Sequence, residues 1–244
     1  MKKKLLTAIS LTMAAVTLIV GSVWATVAYL TSSAAVSNVF TVGDVKLHMY
    51  ETKVNPDGTP VEVIPDGQMK NADTNSYHLV PGGNYTKDPT IYVDGGSEKS
   101  YLFVRLRNDL KHIEKQSDPT SPTILEQLKK HGWLEIHRDP SNVDAVFVYV
   151  GEEVTQTMDE FFAAGKKAAL VGGVSERTEY DVFEEFTLAD KVDNLPSYGG
   201  ARVAIVAYAI QANLPEYNGA DEVGTKDAVD YAWNYIKQEL PFVV

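Results

Sequence analysis

His131, Glu135 and His137 come nearest to a metal-ligand pattern, two imidazoles and a carboxylate within a short stretch. Three such side chains and a water would make a hydrolytic zinc centre. The remaining histidines, His48, His78 and His112, are scattered, and no HExxH helix pair occurs. His131 falls at an expected helix end and His137 beside a turn, where surface imidazoles are common. The three stay as candidate ligands only; no resident metal or cofactor is expected.

Other chemistry is excluded more simply. The chain has no cysteine, which removes thiol nucleophiles, disulfides and a cysteine-linked lipid anchor. There is no GxSxG and no EF-hand calcium loop. The pairs Gly82–Gly83, Gly95–Gly96, Gly172–Gly173 and Gly199–Gly200 do not open helices as phosphate loops do, so they read as turns. Glu152–Glu153 and Glu184–Glu185 are sequence neighbours, hence on opposite faces of any strand. The 13 tyrosines are spread along strand-like segments, as core and cross-strand partners would be. The expectation is a protein that is not an enzyme.

The elements that would position these side chains are mostly strands. In 36–51, Val45, Leu47 and Met49 alternate with Lys46, His48 and Tyr50, a half-buried strand. Residues 52–76 carry the turn signals NPDG and IPDG and read as a long surface excursion. A turn at Pro81–Gly83 precedes a short strand ending at Val93. Residues 101–109 alternate Tyr101, Phe103, Arg105 and Arg107 against Leu102, Val104 and Leu106, which predicts one dry face. Trp133–Ile136 and Ala145–Val150 form a strand pair around DPSN, and Val182–Leu188 is strand-like. Arg202–Ala212 is apolar almost throughout, so it reads as a strand buried on both faces. Helices are predicted over about 122–131, 154–170 and 227–239, the last with Val229, Ala232, Trp233 and Ile236 in a stripe. Many short strands with Gly/Pro turns and few helices predict a mainly β protein, a jelly-roll-like β-sandwich. No repeat or linker divides 45–244, so it is read as one domain.

Before this domain stands an export segment. Lys2, Lys3 and Lys4 precede an apolar run from Leu5 to Leu30, and no charge follows Lys4 until Asp44. A cationic start, an apolar middle and small residues at the end describe a secretory signal peptide over 1–28. The run is also long enough for an uncleaved anchor; Ala25 and Ala28 offer two cleavage points. Membrane contact is expected only through this segment. The chain carries −11 overall, and loss of the three lysines of 1–28 leaves about −14. Such a surface repels nucleic acid and keeps a secreted protein in solution. Disulfide-free export suits a bacterium with a single membrane and a thick wall. LPEYNG at 214–219 has Tyr217 where a sortase motif needs threonine, so sortase wall linkage is not expected.

Two phrases carry a resemblance. AYLTSSAAVSNVFTVGDVKLHMYE, through Thr26, Ala28, Tyr29, Asn38, Phe40, Gly43, Val45 and Leu47, resembles the cleavage-site region of the TasA/camelysin family. LVPGGNYTKDPTIYVDGGSEKSYLFVRL, through Pro81, Gly82, Lys87, Gly95 and Gly96, is similar to that family's next element. AYAIQA at 207–212, followed by a helix with Trp233, looks like the ending of many members, while 110–200 matches only loosely. The resemblance implies a jelly-roll domain, removal of 1–28 after Ala28 by a SipW-type signal peptidase, and a secreted biofilm-matrix or cell-surface protein. It further implies head-to-tail fibres in which a freed N-terminal strand enters the next copy. Segment 29–44 is the candidate donor. Tyr29, Thr31 and Ser33 alternate with Leu30, Ser32 and Ala34, uncharged and strand-competent. Through camelysin the family also carries a metallopeptidase label, the rival reading. A third is a monomeric surface adhesin or binding module.

Overall fold

The computed structural model describes residues 31–33, 38–42, 44–61, 75–118, 120–141, 143–213 and 223–239. The expected signal peptide 1–28, its junction at Ala28 and Tyr29, and donor positions Leu30 and Ala34 lie outside the described residues, as do the IPDG turn and LPEYNG.

Twelve strands and three helices are described. The strands are β1 (Thr31–Ser33), β2 (Asn38–Val42), β3 (Leu47–Tyr50), β4 (Ser76–His78), β5 (Asn84–Thr86), β6 (Thr90–Val93) and β7 (Ser100–Asn108), then β8 (Trp133–Arg138), β9 (Asp144–Tyr149), β10 (Thr178–Asp181), β11 (Glu185–Thr187) and β12 (Val203–Gln211). The helices are α1 (Ile124–Lys130), α2 (Met158–Ala163) and α3 (Lys226–Glu239). The protein is mainly β. A five-stranded sheet runs β2-β12-β7-β9-β8, beside a three-stranded sheet β10-β6-β3 and the ribbons β11-β5 and β1-β4. All pairings are antiparallel except β2 with β12, which is parallel.

The five-stranded sheet carries an apolar cluster on each face, because its strands alternate two apolar sets. Leu102, Val104 and Leu106 of β7 join Ile205, Ala207 and Ala209 of β12 in a core closed by Leu47, Met49, Ile91, Val93, Tyr85 and Phe186 from the smaller sheets. The opposite face holds Tyr101, Phe103, Tyr208 and Ile210 under Phe161 of α2 and Val229, Ala232, Trp233 and Ile236 of α3. The expectation of one dry face on β7 is therefore corrected over its first half: Tyr101 is 2% and Phe103 0% exposed, while Arg105 and Arg107 on the same face stay partly exposed. The α3 stripe covers them, with Trp233 5.5 Å from the Phe103 ring and 5.7 Å from the Tyr208 ring. Each aromatic side chain so buried contributes about 1.5–3 kcal/mol.

Two predicted helices are shorter than their sequence windows. Both start at capping boxes: Thr123 and Glu126 exchange backbone hydrogen bonds at α1, and Thr157 with Glu160 does so at α2. The window 122–131 thus loses Pro122, Thr123 and His131. The window 154–170 ends early, at Ala163, where Gly165 takes φ +77° and turns the chain away. The third helix matches its window to within one residue at its start.

Candidate assembly site

The two edges of the large sheet are finished differently. On β8 the edge carries an irregularity between Glu135 and His137, and Glu135 and Arg138 place charge along it. Bulges and charges blunt an edge against pairing. At the other end, β12 is flanked by β7 over its full length, from Val203↔Asn108 to Gln211↔Ser100. Its outer edge is occupied by the chain's own N-terminal segment, from Val206↔Asn38 to Ile210↔Val42. Without β2, the apolar strand Val203–Gln211 would present unpaired backbone groups to solvent.

A second N-terminal strand, β1, lies on β4, pairing Thr31↔His78, Ser32↔Tyr77 and Ser33↔Ser76. Three of the six expected donor residues, Thr31, Ser32 and Ser33, are thus in a described strand. Strand β4 is held firmly. Tyr77 is 2% exposed, donates through its hydroxyl to Thr86 O (2.9 Å) and packs edge-on against Tyr85 and Phe186 at 5.7 and 5.5 Å. The Tyr85 hydroxyl donates to His78 O (3.0 Å) and accepts from Val80 N–H (2.6 Å).

The chain after β2 is tied to the domain by hydrogen bonds at Asp44 and Lys46. Asp44 O accepts from Glu98 N–H (3.0 Å), Lys46 O from Asp94 N–H (3.0 Å), and Lys46 N–H donates to Ser97 Oγ (3.1 Å). The chain is pinned from Asp44 onward.

The metal candidates do not converge. His131 caps the C-terminus of α1 and its Nε2 lies 3.6 Å from Glu184 Oε1. Glu135 accepts from Arg138 Nε at 2.6 Å. His137 follows the irregularity in β8. Among the described residues no group of three His, Asp or Glu side chains is arranged to hold a metal. A cleft beside β7 and β9 includes Lys111, Glu114 and Arg138. Burial holds the Lys111 ammonium below its ordinary pKa, with Arg138 adding to the effect, and pushes the Glu114 carboxyl up. Glu114 is already engaged, accepting from Ile124 N–H (2.6 Å) and Asn108 (3.3 Å), which fastens the start of α1.

Sequence reasoning missed a buried polar cluster under β4. Lys87, Asn75 and Glu51 are 1%, 4% and 6% exposed. Lys87 Nζ donates to Glu51 Oε2 (2.6 Å), and Asn75 Nδ2 to Glu51 Oε1 (3.0 Å) and Thr52 O (2.8 Å). Asn75 Oδ1 accepts from Val54 N–H (3.0 Å). Asp88 takes the N–H and hydroxyl of Thr52, both at 2.7 Å. Burial, reinforced by the charges of Glu51 and Asp88, pushes the Tyr77 hydroxyl far above its ordinary pKa, so it remains a donor. The sequence held one signal, a lysine just ahead of an apolar strand, but not the depth at which it sits.

Among the described residues no helix is long and apolar enough to cross a membrane. No family model, curated protein or solved structure matches this chain.

Proposed function

We propose that this chain is an exported structural protein of the cell surface or biofilm matrix, built as a jelly-roll-like β-sandwich, that polymerises by donating its N-terminal strands to the next copy. In this reading a SipW-type peptidase removes 1–28 after Ala28, and Tyr29 to Ala34 lead the donor segment. It has no catalytic role, no cofactor and no partner in the fibre except further copies of itself.

The observation that supports it most directly is the parallel pairing of β2 on the β12 edge. The donor comes from the start of the chain and the acceptor from near its end, joined through a tether pinned at Asp44. Every copy offers the same donor and the same edge. Moving β2 to a neighbour's β12 keeps the same backbone pairs, so closed monomer and open chain differ mainly at the hinge and by concentration. The exchange is head-to-tail and does not close on itself, so it grows a filament.

Electron microscopy of purified protein beginning at Tyr29, over a concentration series and with acidification, tests the reading. Filaments are expected. Protein that stays monomeric under all conditions overturns it, and a saturable partner without self-association would favour an adhesin. Chelator-sensitive proteolysis would favour the camelysin-like activity.

A further inference from the structure

We propose that Lys87 and Asn75 condense inside the folded protein to a side-chain isopeptide bond, with Glu51 carrying the protons. The inference does not depend on the fibre reading.

Three side chains meet here from three separate segments: Glu51 after β3, Asn75 before β4 and Lys87 after β5. The amine and the amide are held on the two oxygens of one carboxyl group, at 2.6 and 3.0 Å. The amide is also oriented. Its carbonyl oxygen accepts from Val54 N–H at 3.0 Å, and its nitrogen faces Glu51 and Thr52 O. A donor on the oxygen and an acid beside the leaving nitrogen are what amide aminolysis requires.

The step balances without a co-reactant. Glu51 takes a proton from the Lys87 ammonium along their hydrogen bond, leaving a neutral amine. The nitrogen lone pair attacks Asn75 Cγ, and Val54 N–H stabilises the charge that develops on Oδ1. Glu51 passes that first proton to Asn75 Nδ2, which departs as ammonia as the Cγ–Nδ2 bond breaks, and takes a second proton from Nζ, so it ends as a neutral carboxylic acid. The Nζ–Cγ bond that forms is an ordinary secondary amide, and no electrons are gained or lost. Lys87, Asn75 and Glu51 are themselves 1%, 4% and 6% exposed, so the site excludes bulk water and is protected from competing hydrolysis.

The reaction also relieves an energetic problem. A buried ion pair often recovers less than its desolvation costs. Condensation converts the lysine and the amide into one neutral group and leaves Glu51 protonated, so neither buried charge remains. In a chain without cysteine, it provides a covalent staple across the β4–β5 segment that survives outside the cell.

Mass spectrometry of folded protein beginning at Tyr29 tests this directly. The intact mass should fall short of the sequence value by one ammonia. After denaturation and trypsin, fragment 71–99 should appear uncut at Lys87, also lighter by one ammonia, with fragment ions joining Asn75 to Lys87. Lys87→Arg and Glu51→Gln should restore the full mass. A wild-type mass equal to the sequence value overturns the proposal. So does ammonia loss with normal cleavage after Lys87, which would indicate a cyclic imide, or deamidation of Asn75. The decisive measurement is made on the wild-type chain, so it holds even where a variant fails to fold.

Discussion

Asn38 stands opposite Val206 in parallel register, so the start of the described chain closes the edge of a sheet whose neighbouring strand lies near its end. A parallel strand cannot reach that place through a tight turn; it needs a long connection. Here most of the chain is the connection.

That register gives a covalent test. Thr41 pairs with Ala209, at a separation that suits a disulfide, and the native chain has no cysteine to interfere. In Thr41→Cys/Ala209→Cys protein oxidised as monomer, the bond should form within one chain and block growth. Oxidised after assembly, the same variant should give a ladder of linked chains on non-reducing gels. Single chains from oxidised fibres would rule out exchange of β2.

Gly95 and Gly96 should respond unequally to alanine. A Cβ on Gly95 would lie 2.0 Å from Ser175 O, a backbone atom that cannot step aside, whereas Gly96 at φ +79° meets nothing within 4 Å. Gly96→Ala should cost about 1–2 kcal/mol, the left-handed backbone penalty alone. Gly95→Ala should cost more, because strand β10's approach must open. Urea denaturation of both variants checks the order.

Trp133 offers a measure of how one side chain fastens the two layers. It is fully buried, and its indole N–H donates to Asp181 O at 2.8 Å. Trp133→Ala should lose about 3–5 kcal/mol. Trp133→Phe keeps much of the volume but strands the carbonyl, and should lose about 1–3 kcal/mol for that acceptor. A Trp133→Phe variant as stable as the native chain in chemical denaturation would show that the hydrogen bond contributes nothing.

Acid should weaken the fold through Asp94. Partial burial pushes its carboxyl up, but hydrogen bonds and charge from His48 (3.0 Å) and Arg177 (2.8 Å) outweigh this and hold it below the usual value. A depressed carboxylate stabilises above its unfolded pKa, about 3.9, and the contribution fades as pH falls through the lower folded value. Asp118 is lowered in the same direction, to about 2. Glu114, raised by burial, works oppositely: its contribution is present in acid and lost as pH rises. Asp94→Asn should therefore lower the Tm at pH 7, with the difference shrinking as the pH falls through the folded value of Asp94. An equal drop at both ends would refute the electrostatic account.

Alternation along the chain was enough to place the strands around Leu47, Leu102, Trp133, Val146 and Ile205, and the 3.6-residue stripe of Val229, Ala232, Trp233 and Ile236 marked its helix. Those patterns are local consequences of which side chains must leave water. The extent of α2 was less legible, because its stop depends on one glycine adopting a left-handed backbone within an otherwise helical pattern.

By itself, the sequence determined a mainly β chain without thiol chemistry, acidic beyond its cationic first residues. Composition and period suffice for that. Only the tertiary structure decided three things: that Tyr101 and Phe103 on the second face of β7 are buried, that β2 lies parallel on β12, and that Lys87, Asn75 and Glu51 meet. Each joins segments far apart in sequence, and hydrophobic period says which side of an element is apolar, never which distant surface will cover it.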